Sequence, residues 1–183
     1  ALIDVDGKDE ATLRADVEEA LGEAMEAGEV ADAVIAQSVA QARQLWKLRE
    51  APAELNTNMH PPVNFDVSLP QADIGRFADA CRAAFDARWP GHHTLFFGHV
   101  GDGNLHVSVD GATANGDCEG VEAALYHLVG EFGGSVSAEH GIGLHKKPYL
   151  GASRTPAELA VMRAIKQALD PLHLFNPGKV FDL

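Results

Sequence analysis

Cysteine is almost missing from this chain: only Cys81 and Cys118 occur in 183 residues. Two thiols make neither a disulfide framework nor a zinc finger. Free cysteine behaves as a small hydrophobe, so both are expected to be reduced, with one or both buried. That suits a reducing compartment, and a cytoplasmic location is the expectation. Positive charge is scarce as well. The 14 Lys and Arg against 27 Asp and Glu leave a formal net charge of −13. Non-specific nucleic-acid binding runs on clustered Lys and Arg, and so does attraction to an anionic membrane surface, so the balance argues against both. No stretch approaches the roughly 20 apolar residues that span a bilayer. A basic segment followed by an apolar one, the mark of a signal peptide, is lacking too. So is a starting Met, and the chain opens directly in an alternating apolar and acidic segment, so a fragment of a longer gene product is expected. What is present is a globular balance of 46% hydrophobic and 22% charged residues.

Hydrophobic spacing divides the chain into alternating elements. Residues 1–6 have the period-two pattern of a strand, which Gly7 ends. Residues 9–27 place Leu13, Val17, Ala20, Leu21 and Ala24 at helical spacing, with Gly28 as the stop. A second strand over 30–36, a second helix over 39–49 and a loop over 54–62 follow. Residues 63–69 alternate again. Residues 74–89 carry the helical stripe Ile74, Phe77, Ala78, Cys81 and Phe85. Next come a hairpin over 94–109, a loop over 111–116, a helix over 119–132, a short strand over 135–138 and a glycine-punctuated turn over 139–143. The last helix, 156–169, begins with Thr155, Pro156 and Glu158, a capping box with Pro at its preferred first position. From residue 63 onward the order is β-α-β-β-α-β. The expected class is α+β: a ferredoxin-like sandwich with a mainly antiparallel sheet and helices on one face.

The hairpin is the most informative segment. Asp102-Gly103 is a strong signal for a two-residue type I′ loop. Counting outward from that loop, Gly101 faces Asn104, Val100 faces Leu105 and His99 faces His106. Directly opposed residues share a face, with Cβ atoms about 4.5–5.5 Å apart. One face then holds Phe96, Val100, Leu105, Val107 and Val109 and should pack on helices. The other gathers Phe97, His99, Asn104, His106 and Ser108. Two imidazoles at that separation can reach one ion. A third ligand would come from Glu139-His140, where one residue could bind metal while the other does proton chemistry. Gly141 and Gly143 would let backbone approach a ligand closely. The remaining histidines lack a partner pattern and are expected to be surface or structural, and Lys146-Lys147 to be a solvated pair.

Gly98-His99-Val100-Gly101-Asp102-Gly103-Asn104-Leu105-His106, Ala138-Glu139-His140-Gly141-Ile142-Gly143, Asp170-Pro171 and Phe175-Asn176-Pro177-Gly178-Lys179 occur in that order. With residues 2–7, the Leu45-Trp46-Lys47-Leu48-Arg49-Glu50 segment and Asp66-Val67-Ser68-Leu69-Pro70, this set resembles the C-terminal domain of the FAD-linked oxidases, the family of glycolate oxidase, D-lactate dehydrogenase and D-2-hydroxyglutarate dehydrogenase. The resemblance implies a cap domain over the substrate side of a flavin, with FAD held mainly by an N-terminal domain of the same protein. It implies oxidation of a small D-2-hydroxy acid by hydride transfer to FAD. His99, His106 and Glu139 would bind a divalent metal (Zn, Mn or Fe) and His140 would take the hydroxyl proton. Asn104 would contact substrate, Arg49 would hold its carboxylate, and Asn176 and Lys179 would lie near the flavin. The chemistry is coherent: a Lewis acid orients both substrate oxygens, histidine is a base near neutral pH, and arginine offers a bidentate fork. One departure stands at Asn64, where close relatives of D-2-hydroxyglutarate dehydrogenase have a Lys that contacts substrate. A monocarboxylate, or a dicarboxylate held otherwise, becomes more plausible. Alone, the chain is expected to be inactive as an oxidoreductase, and a homodimer is allowed. Two other classes fit parts of the pattern: a non-catalytic ferredoxin-like binding module with structural histidines, and a metal hydrolase using His99, His106 and Glu139.

Overall fold

The computed structural model describes residues 2–59, 62–111 and 116–182. The chain divides into two units, residues 1–54 and 55–183.

The first unit is helical. Helix α1 (Glu10–Glu26) starts where Asp9 accepts a hydrogen bond from the Thr12 N–H at 2.8 Å and stops at Gly28, whose φ is +74°. Helix α2 (Val39–Asn58) runs through Pro52 and across the division between the units. It outlasts the expected 39–49 helix, so the loop expected over 54–62 begins only at Met59, and residues 60 and 61 lie outside the described residues. The strands expected over 1–6 and 30–36 do not form among the described residues. Alternation supplies a strand's side-chain pattern but not its ladder, and among the described residues neither segment is paired with a strand. The 30–36 segment instead ends against α1, where Arg14 Nη2 donates to the Ala36 carbonyl at 2.8 Å.

The second unit carries a three-stranded antiparallel sheet in the order β1-β3-β2: β1 (Val63–Ser68), β2 (His93–Phe97) and β3 (Asn104–Asp110). Phe65 and Val67 of β1 pair with Val107 and Leu105 of β3, so period-two alternation puts these four on one face. Helices α3 (Ile74–Arg88) and α4 (Cys118–Glu131) cover that face. Phe77, Cys81 and Phe85 of α3 and Val121, Leu125 and Val129 of α4 are fully buried against it. Burial pushes the Cys81 thiol up to about 12, the mark of an inert structural cysteine. Cys118 is free and exposed. The α+β class, the antiparallel sheet and the one-sided helices agree with expectation. The fourth strand, expected over 135–138, is a single bridge between Ser68 and Ser135, because the chain turns there to wrap a carboxylate described below. Helix α5 (Pro156–Leu169) has the expected reciprocal capping box between Thr155 and Glu158. Among the described residues no helix is long and apolar enough to cross a membrane.

Candidate functional site

The hairpin loop is not the two-residue turn that Asp102-Gly103 suggests. Type I′ needs φ > 0 at both central residues, and only Gly103 has it, at +78°. Residues Val100–Asp102 form a 3-10 turn, so the loop takes in residues 98–103. The pairing shifts by two residues: Phe97, not His99, lies opposite His106. An even shift preserves side-chain faces, so the strand residues expected on the polar face stay there. The loop needs its glycines. A Cβ on Gly103 would run into the Leu69 carbonyl oxygen, and one on Gly98 would meet the Asn104 carbonyl oxygen.

His106 stands in the central strand with Phe97 on one side and Asp66 on the other, both directly across the ladder. Its ring lies 5.1 Å from the Phe97 ring and stacks on His140 at 5.9 Å. Glu139 reaches in from the glycine turn, between two imidazoles. Its Oε1 is 3.5 Å from His99 Nδ1 and its Oε2 is 3.7 Å from His106 Nε2. His99 thus reaches the site from the loop, not from a strand. Asn104 completes this face. It is buried, yet neither Oδ1 nor Nδ2 has a hydrogen-bond partner. An unsatisfied buried amide costs stability, so both atoms should take a water or a ligand group.

Sequence reasoning missed two residues here. Asp66 is 1% exposed and Lys146 is 9% exposed. Lys146 Nζ donates to Asp66 Oδ2 at 3.1 Å and to the Asp66 carbonyl at 3.0 Å, which corrects the expectation of a solvated pair. Lys147 does stand nearer solvent and pairs with Asp182 at 2.5 Å. Burial pushes the Asp66 carboxyl up, but the His140 and Glu139 N–H groups and the Lys146 ammonium outweigh it and hold Asp66 well below the usual carboxylate range. The available signal was Asp66's place on the same sheet face as His106, visible only once β1 is paired with β3.

Of the expected site residues, His99, Asn104, His106, Glu139 and His140 come together in the second unit. Arg49 lies on α2 in the first unit. Asn176 and Lys179 lie in the C-terminal tail, joined by a hydrogen bond from Lys179 N to the Asn176 carbonyl at 3.2 Å. They help line a groove of about 650 Å³ with Met162, Ile165 and Phe175. The tail is tied to the glycine turn, since Val180 N donates to the Gly143 carbonyl at 2.9 Å. Lys166 and the Leu174 and Phe175 N–H groups hold the Asp170 carboxylate, whose pKa falls to about 2, chiefly through Lys166.

Ligand atoms of Asp66, His106 and Glu139 lie within 4.8 Å of one another. Asp66 is nevertheless a poor ligand, because its Oδ2 already faces five donors. His99 lies outside this group of three among the described residues, and it meets Glu139 through the other carboxylate oxygen. Two donor atoms on one tetrahedral zinc, each bonded at about 2.0–2.1 Å, are about 3.4 Å apart, and Glu139 stands near that spacing from His99 through one oxygen and from His106 through the other. Lys146 balances Asp66, which leaves Glu139 as the unbalanced charge at the site.

The arrangement defines an α+β domain that gathers histidine and carboxylate side chains on one face of its sheet. The profile of FAD linked oxidases, C-terminal domain, matches residues 1–180, and the chain belongs to that family. It is 45% identical over 164 residues to a D-2-hydroxyglutarate dehydrogenase of Xanthomonas citri pv. viticola, covering 86% of this chain and 34% of that protein. It is 38% identical over 181 residues to the D-2-hydroxyglutarate dehydrogenase of Stutzerimonas stutzeri, covering 94% and 39%. The mitochondrial D-2-hydroxyglutarate dehydrogenase of Arabidopsis thaliana is 35% identical over 180 residues, covering 98% and 32%. The chain therefore spans about a third of the length of the curated relatives it matches.

Proposed function

We propose that this chain forms the substrate side of a flavin-dependent oxidoreductase that converts a D-2-hydroxy acid to the 2-oxo acid. FAD would be held mainly by a preceding domain, with Asn176 and Lys179 of the tail facing it. The observation that carries the reading is the cluster itself: one carboxylate between two imidazoles, with a third imidazole stacked beside them. His99, His106 and Glu139 would hold a divalent metal, which, when bound, orients the substrate oxygens and makes the α-hydroxyl more acidic. His140 takes the hydroxyl proton. Its Nδ1 faces Asp66 Oδ2 at 3.7 Å, which leaves Nε2 as the nitrogen available to substrate. The unpaired Asn104 amide supplies both a donor and an acceptor to substrate oxygens. Arg49 would clamp the carboxylate.

D-2-Hydroxyglutarate is the substrate that the relatives' names favour. Asn64 accepts a hydrogen bond from Ser108 Oγ at 2.7 Å and offers no charge to a second carboxylate, which another group would have to hold. The test is turnover by the full-length protein on D-2-hydroxyglutarate, D-lactate and glycolate, alongside His140→Ala. Oxidation of one of them, lost by a factor of about 100 or more in the variant, is expected of a positioned base. A variant as active as the parent would remove His140 from the reaction.

A further inference from the structure

Asp66 is the most heavily coordinated side chain at the site, and the reaction above uses only its contact with the His140 ring. Three consecutive backbone N–H groups converge on its Oδ2: Ala138 at 3.2 Å, Glu139 at 3.0 Å and His140 at 2.9 Å. The Ser137 hydroxyl donates to the same oxygen at 3.0 Å, and the Glu139 N–H also reaches Oδ1 at 3.1 Å. A run of N–H groups curled round one anion is a nest, here filled by a side chain of the same protein. The nest spans Glu139 and His140, which project from that turn.

We propose that Asp66 is a positioning residue: its carboxylate fixes the 138–140 turn so that Glu139 enters the space between His99 and His106 while His140 stacks on His106. Lys146 has a separate task, which is to make a buried anion tolerable there. It donates to Asp66 Oδ2, to the Asp66 carbonyl and, at 3.0 Å, to Ser137 Oγ, and so has no donor left for a ligand. The two tasks separate chemically. Neutralising both residues removes the charge problem but also removes the anion that gathers the turn, whereas a purely structural ion pair would be replaceable. The inference rests on the metal reading of Glu139 for its functional consequence, and on the turn geometry alone for its structural one.

The experiment compares the chain with Glu139→Gln, Asp66→Asn and the double variant Asp66→Asn plus Lys146→Gln. The readouts are Co²⁺ absorption titration, thermal melting and amide hydrogen exchange. Asp66→Asn alone leaves Lys146 buried without its counter-charge and can fail to fold, so the double variant carries the test. Expected for it is a melting temperature near that of the parent, Co²⁺ affinity lower by about 10–100-fold, and faster exchange at Ala138, Glu139 and His140 with Val107 and Val129 unchanged. Co²⁺ binding as tight as the parent's would overturn the proposal and leave the metal reading standing. Should the parent show no Co²⁺ spectrum, or Glu139→Gln keep it, the metal reading fails. Exchange then decides: a selective loss of protection at the three amides supports Asp66 as the positioner, and unchanged protection rejects it.

Discussion

The two faces of one small sheet are built by opposite rules. On the face toward α3 and α4, Phe65, Val67, Leu105, Val107 and Val109 join the apolar core. On the other, the same strands present Asp66, Asn104, His106 and Ser108, three of them nearly as buried. The first face gains stability with every contact. The second gives some of it up: a buried carboxylate needs a cation and a nest, and a buried amide goes without partners. Stability is concentrated on one side of the strands and the candidate site on the other, a thickness of one backbone apart. Sites commonly show this trade between stability and activity.

Substitutions can break or sharpen that contrast. The largest effect is expected from Phe77→Ala on the helix side, about 3–5 kcal/mol of lost stability in chemical denaturation. Co²⁺ affinity of the folded fraction should stay unchanged, and a parallel loss of affinity would show that the faces are coupled. Lys146→Met should cost about 3 kcal/mol, because it strands a buried anion. Asp66 titrates lower in the folded chain than the unfolded value of about 3.9, so its contribution is full above about pH 4 and is lost as pH falls through the lowered value. The deficit of Lys146→Met, followed by denaturation at several pH values, should therefore narrow below about pH 4. Asn104→Ala should cost under about 1 kcal/mol, unusually little for a buried residue, because the amide is unsatisfied. The same change should raise KM in the full-length protein. His99→Ala, at the exposed rim, should change stability by less than about 0.5 kcal/mol while abolishing stoichiometric metal uptake in elemental analysis.

Much of the helix side was legible in the sequence. The stripe Phe77, Cys81 and Phe85 names the buried face of α3, and Thr155 with Glu158 names the start of α5. These signals are local: spacing on one helix, or a hydrogen bond across three residues. The polar face was half legible. Its residue types announced themselves, and an even error in register kept His106 and Asn104 on the right side. The wrong partner for His106 came from reading Asp102-Gly103 as a complete turn, whereas Gly98 and the 3-10 turn add four residues to the loop. Asp66 and Lys146 stayed hidden because each is ordinary in its own segment. Only the pairing of β1 with β3 and the return of the chain near residue 140 make them a pair. Residues 1–6 and 30–36 misled for the complementary reason: alternation without a neighbouring strand yields no strand.

The nest around Asp66 has a consequence for how the molecule assembles in time. Its hydrogen bonds join positions 71–80 residues apart in sequence. Helices α3 and α4 and the hairpin all lie within that span, and closing so long a loop costs entropy that local contacts must first offset. A nascent or proteolysed chain ending before residue 137 would carry His99 and His106 without the turn that brings Glu139 to them. On the proposed metal reading, uptake by the refolding protein should therefore trail the recovery of helical signal, and the ion would report completed topology.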